Sequence, residues 1–343
     1  MRRGVSNVLV TAELPRGVLE NVFNGVNFQY DGYSLNHEVM PHNELERKIR
    51  GVDVLICEYD TIDAEIMAAA SDLKLIICCR GGVKSVVDID YAAAHGILVC
   101  NTAGRNANSV ADIILGYILD LTRNITLTNS LMHSGSLTGY DTTKPKEYRD
   151  VVWGLDNESP FIRYRGRSIN HMVLGIVGYG CAGKTLAQKA TALGLSVIAY
   201  SPHLHIKNIP SYIAPVSFER LISDADIVSV NCALNNETRD MFNAEVFSKM
   251  KKGSYFINTA RGEVVVEADL IAALKSHRLA GAALDVTREE PLPKDSHLIG
   301  VENLILTPHI GGSSDDVQKQ GIEMVVRSLS SYIEGDRPYN CVV

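Results

Sequence analysis

The stretch that decides the fold is Met172–Gly194, MVLGIVGYGCAGKTLAQKATALG, in which an apolar run ends at a glycine cluster and helical periodicity follows. Gly178, Gly180 and Gly183 have the G-x-G-x-x-G spacing. In this pattern the first glycine permits a tight turn, the second lets the backbone approach a pyrophosphate, and the third lets the helix pack against the strand. We therefore predict a strand, a phosphate loop and a helix that form a dinucleotide site. A purely structural glycine turn is the alternative.

The composition limits the classes of protein and of partner. At 343 residues the chain is longer than one hydrophobic core usually grows, so we predict two domains. A net charge of −7 without a long basic run argues against a nucleic-acid partner. No apolar run reaches the roughly 18 residues of a membrane helix, and no signal peptide precedes the first strand, so we expect a cytoplasmic protein without a membrane partner. The seven cysteines include no C-x-x-C pair, which favours buried reduced thiols over disulfides or metal ligands.

The first hundred residues alternate between strand-like and helical runs, the pattern of an α/β fold with a parallel sheet. We predict helices over 62–73 and 88–96, and strands over 8–10, 54–57, 73–79 and 97–100. The third strand is followed by Arg80-Gly81-Gly82. Open α/β sheets bind ligands at the carboxyl ends of their strands, so this loop is a candidate ligand loop, although a plain turn explains it equally well.

The rest of the chain predicts a second α/β series. Residues 110–132 have the periodicity of one long helix that could bridge two domains, and 133–168 is an irregular arm whose Trp153 we expect to be a buried anchor near a subunit contact. Six strands follow, starting in Met172–Gly194, which is the count of a doubly wound dinucleotide domain. The last helical segment, 315–334, lies beyond them and should pack on the N-terminal domain. The predicted domains are 1–108 plus 313–343 for substrate and 109–312 for NAD(P).

Three charged side chains follow consecutive late strands: Arg261, Glu290 and His309. Singly they could be an arginine in a surface turn, a glutamate in an acidic pair and a histidine at a chain reversal. Together they supply a clamp for a carboxylate, a carboxyl group and an imidazole, which hydride transfer at a carbonyl requires. No second histidine or cysteine lies at ligand spacing beside His309, so we expect no metal site.

The chain resembles the D-isomer-specific 2-hydroxyacid dehydrogenases, a family that includes phosphoglycerate, glyoxylate/hydroxypyruvate and D-lactate dehydrogenases. The resemblance covers nearly the whole length and implies two Rossmann-like domains, the doubly wound dinucleotide-binding domain of six or more strands being inserted in a smaller flavodoxin-like substrate domain. The matching motifs occur in the family's order: RGG (80–82) with DID (88–90), NTAGRNANSVAD (101–112), GIVGYGCAGKTLA (175–187), INTARGEVVVEADLIAAL (257–274), GAALDVTREEPLP (281–293) and LTPHIGGSS (306–314).

The resemblance also implies roles for individual residues and a homodimer formed through the cofactor domain. Arg261, Glu290 and His309 would be catalytic. The substrate carboxylate would be held by backbone N–H groups of the substrate loop, with a nearby asparagine: Gly81, Gly82, Val83 and Asn106. The cofactor contacts would be Val110, Gly178, Tyr179, Gly180, Cys181, Ala182, Ser201, Ala233, Thr238, Thr259, Ala260, Asp285, Gly311 and Gly312.

The expected cofactor is NAD or NADP. The preference that we expect between the two depends on Ser201. The family commonly has an aspartate at this position, whose charge repels the 2′-phosphate of NADP. Ser201 is neutral, and the nearby His203, His205 and Lys207 could approach that phosphate. The alternative is that Ser201 binds the ribose and NAD stays preferred. We predict dual use with a slight lean to NADP.

The predicted reaction transfers a hydride between the nicotinamide and a D-2-hydroxy acid or 2-oxo acid. Residues 57–60 form an acidic loop, and we expect Glu58 and Asp60 to disfavour a phosphorylated substrate. Glyoxylate or hydroxypyruvate is therefore expected in preference to 3-phosphohydroxypyruvate, with the two domains closing over it. The alternative function is a dinucleotide-sensing, co-repressor-like regulator with the same triad and little turnover. That class would need a peptide-recruiting extension, which neither end of this sequence shows.

Overall fold

The computed structural model describes residues 3–137, 157, 159–202, 204 and 209–343. The chain divides into two compact units: Met1–Asn106 with Ser313–Val343, and Ala107–Gly312. We name them the five-stranded unit and the seven-stranded unit after their sheets. Within the described residues no helix is both long and apolar enough to cross a membrane.

The strands and helices alternate along the chain. The strands are β1 (Asn7–Val10), β2 (Asn27–Tyr30), β3 (Val54–Cys57), β4 (Leu75–Cys78), β5 (Leu98–Asn101), β6 (Val173–Val177), β7 (Ser196–Tyr200), β8 (Ile213–Pro215), β9 (Ile227–Val230), β10 (Ser254–Asn258), β11 (Leu279–Leu284) and β12 (Leu304–Leu306). The helices are α1 (Tyr33–Asn36), α2 (His42–Lys48), α3 (Ala64–Ala69), α4 (Ile89–Ala94), α5 (Ala107–Arg123), α6 (Ile125–His133), α7 (Pro160–Arg163), α8 (Cys181–Ala192), α9 (Phe218–Asp224), α10 (Ala244–Lys249), α11 (Glu267–Lys275) and α12 (Asp315–Glu334).

The five-stranded unit is built on a parallel sheet with the order β2-β1-β3-β4-β5, the flavodoxin-like arrangement. The central strands β3 and β4 are apolar and fully buried, as expected of a parallel sheet covered on both faces. The C-terminal helix α12 contributes Val325, Leu329 and Tyr332 to the same apolar cluster as Val8 and Val10 of β1. The last helix of the chain therefore completes the core of its first unit.

The seven-stranded unit is a doubly wound parallel sheet with the order β12-β11-β10-β9-β6-β7-β8. The strand order reverses between β6 and β9, and open α/β sheets bind ligands outside the carboxyl ends of the strands at such a switch point. The predicted fold class, two Rossmann-like units with the larger inserted in a flavodoxin-like one, is confirmed.

The prediction of one helix over 110–132 is wrong, because the helix is interrupted at Asn124. Asn124 has a left-handed backbone with φ 55°, and its side-chain amide donates to the carbonyl of Tyr164. Asp120 accepts from the N–H of Thr126 at 2.7 Å and so caps the second helix. The result is two helices, α5 and α6, in place of one. The prediction for Trp153 lies outside the described residues.

Candidate active site

Three strands of the seven-stranded unit end side by side. Asn258, the last residue of β10, pairs with Leu284 at the end of β11, and Leu284 pairs with Leu306 at the end of β12. The residues that follow these strands therefore leave the same edge of the sheet. They include all three predicted catalytic residues, Arg261, Glu290 and His309.

Glu290 and His309 form a hydrogen-bonded pair. The Nδ1 atom of His309 lies 2.8 Å from Oε2 of Glu290, and both side chains are partly exposed. Oε1 of Glu290 accepts the N–H of Thr287 at 3.1 Å, which orients the carboxylate. A carboxylate accepts hydrogen bonds, so Nδ1 carries a hydrogen and Nε2 is the nitrogen that can give or take a proton.

Asp285 holds the turn that carries His309. Its buried carboxylate accepts the N–H groups of Ile310 at 2.9 Å and Gly311 at 2.7 Å, and its carbonyl accepts the N–H of His309 at 2.8 Å. The Thr307 hydroxyl donates to the same carboxylate at 2.6 Å. Burial and the nearby carboxylate raise the pKa of Tyr117 to about 12, so its phenol stays protonated beside Thr307 and Asp285.

Arg261 leaves β10 in a conformation set by its neighbours. The Asn258 side chain donates to the carbonyl of Arg261 at 2.9 Å and accepts the N–H of Ala260 at 3.0 Å. A side chain on Gly262 would overlap the backbone of Thr287, so only glycine allows the close packing that follows Arg261. The Arg261 side chain is exposed, and no carboxylate in the described part of the chain pairs with it. Its Nη1 atom donates to the carbonyl of Ala260 at 2.6 Å, and its remaining N–H groups are available to an anionic ligand.

A cavity of about 570 Å³ opens beside the Glu290–His309 pair. Apolar side chains form much of its wall, and Glu290 and His309 supply polar atoms. Its lining comprises Asp285, Thr287, Glu290, Pro291, Leu292, Leu306, Thr307, Pro308 and His309. A mostly apolar wall with a few convergent polar groups is typical of a small-molecule site.

The glycine loop after β6 has the shape that a dinucleotide requires. Side chains on Gly178 or Gly183 would collide with backbone at 2.5 and 2.3 Å, whereas a side chain on Gly180 would meet nothing within 4 Å. Gly178 and Gly183 thus allow the loop to pack closely against neighbouring backbone. Gly180 leaves the outer surface of the loop open. No side chain caps the start of α8 at Gly180, and Cys181 is exposed. The N-terminal N–H groups of this helix suit a pyrophosphate.

The other predicted cofactor residues lie in both exposed and buried positions. Ser201, half-buried, follows β7, and the Thr238 hydroxyl donates to the carbonyl of Ala233 at 2.8 Å beyond β9. The hydroxyl of Thr259 is buried without a partner among the described residues, so it is free to bind a ligand. Val110 and Tyr179 lie in the hydrophobic core, and His203, His205 and Lys207 lie outside the described residues. Ala182 and Gly312 are partly exposed, while Ala260 and Gly311 are buried.

The substrate loop belongs to the five-stranded unit and follows β4. Gly81, Gly82 and Asn106 are exposed, whereas Val83 is buried. The Asn101 amide donates to the carbonyl of Gly81 at 3.2 Å, which ties the loop to the end of β5. Two glycine N–H groups at the carboxyl edge of a parallel sheet are well placed for a small anion.

Glu58 and Asp60 do not form the exposed acidic loop that the sequence predicted, because neither side chain faces outward. Glu58 is 4% exposed and pairs with Arg105 at 2.7 Å. Asp60 is fully buried and accepts from the Thr11 hydroxyl at 2.5 Å. The sequence did not reveal these partners, since each lies more than forty residues away along the chain.

Sequence reasoning also missed the residues that position the site. Asn258 and Thr307 orient the loops of Arg261 and His309, but a lone asparagine or threonine at a strand end carries no signal of its own. The described residues, apart from 138–156 and the shorter gaps, contain no group of three or more His, Cys, Asp or Glu that could hold a metal ion.

The chain is similar to proteins of one family. The family model described as "D-isomer specific 2-hydroxyacid dehydrogenase, NAD binding domain" matches residues 115–311, more than half of the chain.

Individual relatives match over most of their length. A glyoxylate reductase of Thermofilum pendens is 33% identical over 298 residues, covering 86% of this chain and 82% of the relative. A Schizosaccharomyces pombe protein provisionally named D-3-phosphoglycerate dehydrogenase is 35% identical over 334 residues, covering 92% and 66%. The crystal structure of the TT0316 protein of Thermus thermophilus superposes with a TM-score of 0.75 at 31% identity, covering 98% of this chain and 100% of that one.

Proposed function

The chain belongs to the D-isomer-specific 2-hydroxyacid dehydrogenase family, and on that premise we propose that it reduces a small 2-oxo acid to the D-2-hydroxy acid with NADH or NADPH, and catalyses the reverse oxidation. The observation that carries the proposal is the 2.8 Å hydrogen bond between His309 and Glu290 beside the cavity at the strand ends. This arrangement leaves one imidazole nitrogen available to a substrate oxygen.

The mechanism assigns one task to each side chain. The planar guanidinium of Arg261 binds the substrate carboxylate through paired hydrogen bonds. A nicotinamide cofactor held at the carboxyl edge of the seven-stranded sheet would supply the hydride for the substrate carbonyl carbon. His309 then donates the proton on Nε2 to the carbonyl oxygen as negative charge develops there, and Glu290 stabilises the charged imidazolium through Nδ1. In the oxidative direction, neutral His309 accepts the proton of the substrate hydroxyl.

The dinucleotide would lie along the carboxyl edge of the seven-stranded sheet. We propose that the N–H groups at the start of α8, those of Cys181 and Ala182, hold the pyrophosphate. The open face of Gly180 supports this placement. Ser201 would face the adenosine ribose, and its lack of charge supports dual use of NAD and NADP with a slight lean to NADP. Thr259, with its unpartnered hydroxyl, would face the nicotinamide side.

The substrate is proposed as a 2-oxo acid, and the N–H groups of Gly81 and Gly82 are proposed as donors to a small anion. Glyoxylate and hydroxypyruvate remain the first candidates, and the name of the Thermofilum pendens relative, glyoxylate reductase, supports glyoxylate. Glu58 pairs with Arg105, and Asp60 is hydrogen-bonded to Thr11. Neither carboxylate is therefore a reason to exclude a phosphorylated substrate. The name of the Schizosaccharomyces pombe relative makes 3-phosphohydroxypyruvate the main competitor.

We also propose a homodimer formed through the seven-stranded unit. Five large apolar side chains are exposed on α5, α6 and α7: Leu119, Ile125, Leu127, Met132 and Phe161. The chain after α7 hydrogen-bonds to the end of α5 through Arg167 and Thr122, which places these helices together. Exposed apolar patches of this kind mark protein interfaces, and a second copy would cover this one.

The proposed activity is tested by following NADH and NADPH oxidation with a panel of glyoxylate, hydroxypyruvate, pyruvate and 3-phosphohydroxypyruvate. We expect turnover with at least one 2-oxo acid. Cofactor binding without turnover on any of them would contradict the enzyme and favour the regulatory alternative.

A further inference from the structure

The C-terminal residues pair with the open edge of the five-stranded sheet. Strand β5 is the last strand in the order β2-β1-β3-β4-β5, so one side of its backbone has no strand neighbour within the sheet. The N–H of Asn101 donates to the carbonyl of Asn340 at 3.2 Å, and the N–H of Val342 donates to the carbonyl of Val99 at 2.8 Å. The chain end thus covers an edge that would otherwise be open to other strands.

These two hydrogen bonds place Cys100 directly opposite Cys341. The two residues form an antiparallel bridge, and the hydrogen bonds lie on either side of it. An antiparallel pair flanked in this way is of the non-hydrogen-bonded type, in which the Cα atoms are about 4.5 Å apart and the side chains leave the same face. Disulfides form at Cα separations of about 4.4 to 6.8 Å. This type of strand pairing therefore places the two cysteines within the Cα separation that a disulfide allows.

The two thiols differ in access to solvent. Cys100 is fully buried, whereas Cys341 is partly exposed and its thiol lies 2.7 Å from the carbonyl of Val343. Burial, together with the neighbouring Cys341 thiol, raises the pKa of Cys100 well above its usual range. Cys341 is therefore the thiol that a dissolved oxidant reaches first. Cys100 is the thiol that then reacts with the oxidised Cys341 sulfur.

We propose that Cys100 and Cys341 form an intrachain disulfide when the protein meets a peroxide, which fastens the C-terminal segment to β5. The Cys341 thiolate attacks one peroxide oxygen, the O–O bond breaks, and a sulfenic acid and water result. The Cys100 sulfur then attacks the Cys341 sulfur and displaces its oxygen as a second water. Two thiols are oxidised to one disulfide while one hydrogen peroxide is reduced to two water molecules.

The pair Cys57 and Cys78 provides an internal comparison. These residues are register partners on β3 and β4, but both are completely buried between layers of the unit. Closeness of two thiols is thus common to both pairs, and contact with solvent is specific to Cys341. We expect hydrogen peroxide to oxidise the Cys100–Cys341 pair while Cys57 and Cys78 remain thiols.

The test treats the full-length protein with hydrogen peroxide, blocks the remaining thiols, digests without reductant and identifies cross-linked peptides by mass spectrometry. The expected product joins the peptides of Cys100 and Cys341, with the loss of two hydrogen atoms, and dithiothreitol reverses it. Cys341→Ser and Cys100→Ala should each abolish the product. Cys181→Ser, which removes an exposed cysteine from the other unit, should retain it.

A second measurement follows the chain end itself. Hydrogen exchange at the Val342 amide, which is bonded to Val99, should slow at least tenfold after oxidation of the wild-type protein and stay unchanged in Cys341→Ser. Equal melting temperatures of the reduced variants and wild type check the fold. The proposal is overturned if Cys341 proceeds to sulfinic acid while Cys100 stays a thiol, if Cys341 cross-links elsewhere, or if neither cysteine reacts.

Discussion

At the residue scale, His309 depends on Asp285 for its position. His309 has a left-handed backbone with φ 55°, which is uncommon for a residue other than glycine. Asp285 fixes this turn from both sides, through its carbonyl to His309 and through its carboxylate to Ile310 and Gly311. A side chain on Gly311 would approach the Asp285 carboxylate to 2.7 Å, so the turn also requires that glycine. Asp285 is thus a positioning residue for His309.

The three glycines of the phosphate loop should respond differently to alanine. Gly183→Ala brings a methyl group to 2.3 Å from the carbonyl of Gly178 and should lower the free energy of unfolding by about 1 to 3 kcal/mol. Gly180→Ala meets open space and should leave the melting temperature unchanged. It should instead weaken NADH binding about tenfold, or about 1.4 kcal/mol, because the methyl group occupies the pyrophosphate surface.

Thermal unfolding and fluorescence titration with NADH separate these two effects. Equal losses of stability in both variants, or unchanged NADH affinity in Gly180→Ala, would contradict the separate roles of packing and ligand approach.

Ser201 should set the balance between the two cofactors. Ser201→Asp places a negative charge after β7 and should shift the ratio of kcat/KM for NADH over NADPH upward by about tenfold, since a carboxylate repels the 2′-phosphate. Ser201→Asn, which adds bulk without charge, is the matched control and should shift the ratio much less. A wild-type preference for NADH of about a hundredfold would show that Ser201 does not decide cofactor choice.

At the element scale, Asp226 joins β6, β9 and β10 at the amino ends of the strands. Its carboxylate accepts the N–H of Val173 at 2.9 Å and the Lys251 ammonium at 2.8 Å, and Arg167 lies 3.4 Å away. Burial alone would raise the pKa of Asp226, but the hydrogen bonds from Lys251 and Val173 and the nearby positive charges lower it below the usual 3.8. Its charge therefore stabilises the sheet at neutral pH.

Asp226→Asn should lower the free energy of unfolding by about 2 kcal/mol at pH 7, since hydrogen bonds to a charged group are lost. The folded-state pKa lies below the unfolded value, so this contribution is complete above pH 3.8 and is lost as the pH falls through the folded-state pKa. Denaturant unfolding between pH 7 and pH 2 should show the curves of wild type and variant converging in acid. Asp224→Asn, at an exposed site, should hardly change stability. A stability difference between wild type and Asp226→Asn that persists at pH 2 would contradict the expected pH dependence.

The elements that could be predicted from the sequence are those whose signal is local. Apolar runs identified the buried strands β3, β4 and β9, and periodicity identified α12 over 315–334. The strands β2 and β8 were not predicted, because NFQY and IAP are short, partly exposed and not uniformly apolar. The proposed catalytic residues were likewise local signals, because each lies in the loop that follows a strand.

What could not be predicted depends on partners far apart in the chain. Glu290 and His309 are 19 positions apart, and their hydrogen bond follows from the pairing of β11 with β12. Glu58 and Arg105 are 47 positions apart, so the sequence showed an acidic loop where the fold forms an ion pair. The break at Asn124 was also hidden, because apolar periodicity continues on both sides of it.

At the scale of the whole molecule, the exposed apolar side chains of α6 and α7 should control self-association. Leu127→Glu with Phe161→Glu puts charges on the proposed dimer surface and should shift the mass measured by light scattering from dimer towards monomer. Leu35→Glu changes an equally exposed leucine of the five-stranded unit and should leave the mass unchanged. A monomeric wild-type protein at micromolar concentration would contradict the proposed homodimer.

In the proposed reaction, His309, paired with Glu290, delivers the proton in reduction of a 2-oxo acid. The most direct measurement compares kcat of wild type, His309→Ala and His297→Ala on the best substrate of the panel, with NADH affinity measured in parallel. His297 is an exposed histidine outside the cavity lining, so its variant controls for loss of an imidazole. We expect His309→Ala to lower kcat by about 10² to 10⁴ with NADH affinity retained, and His297→Ala to keep wild-type kcat. Wild-type kcat in His309→Ala would contradict this role of His309.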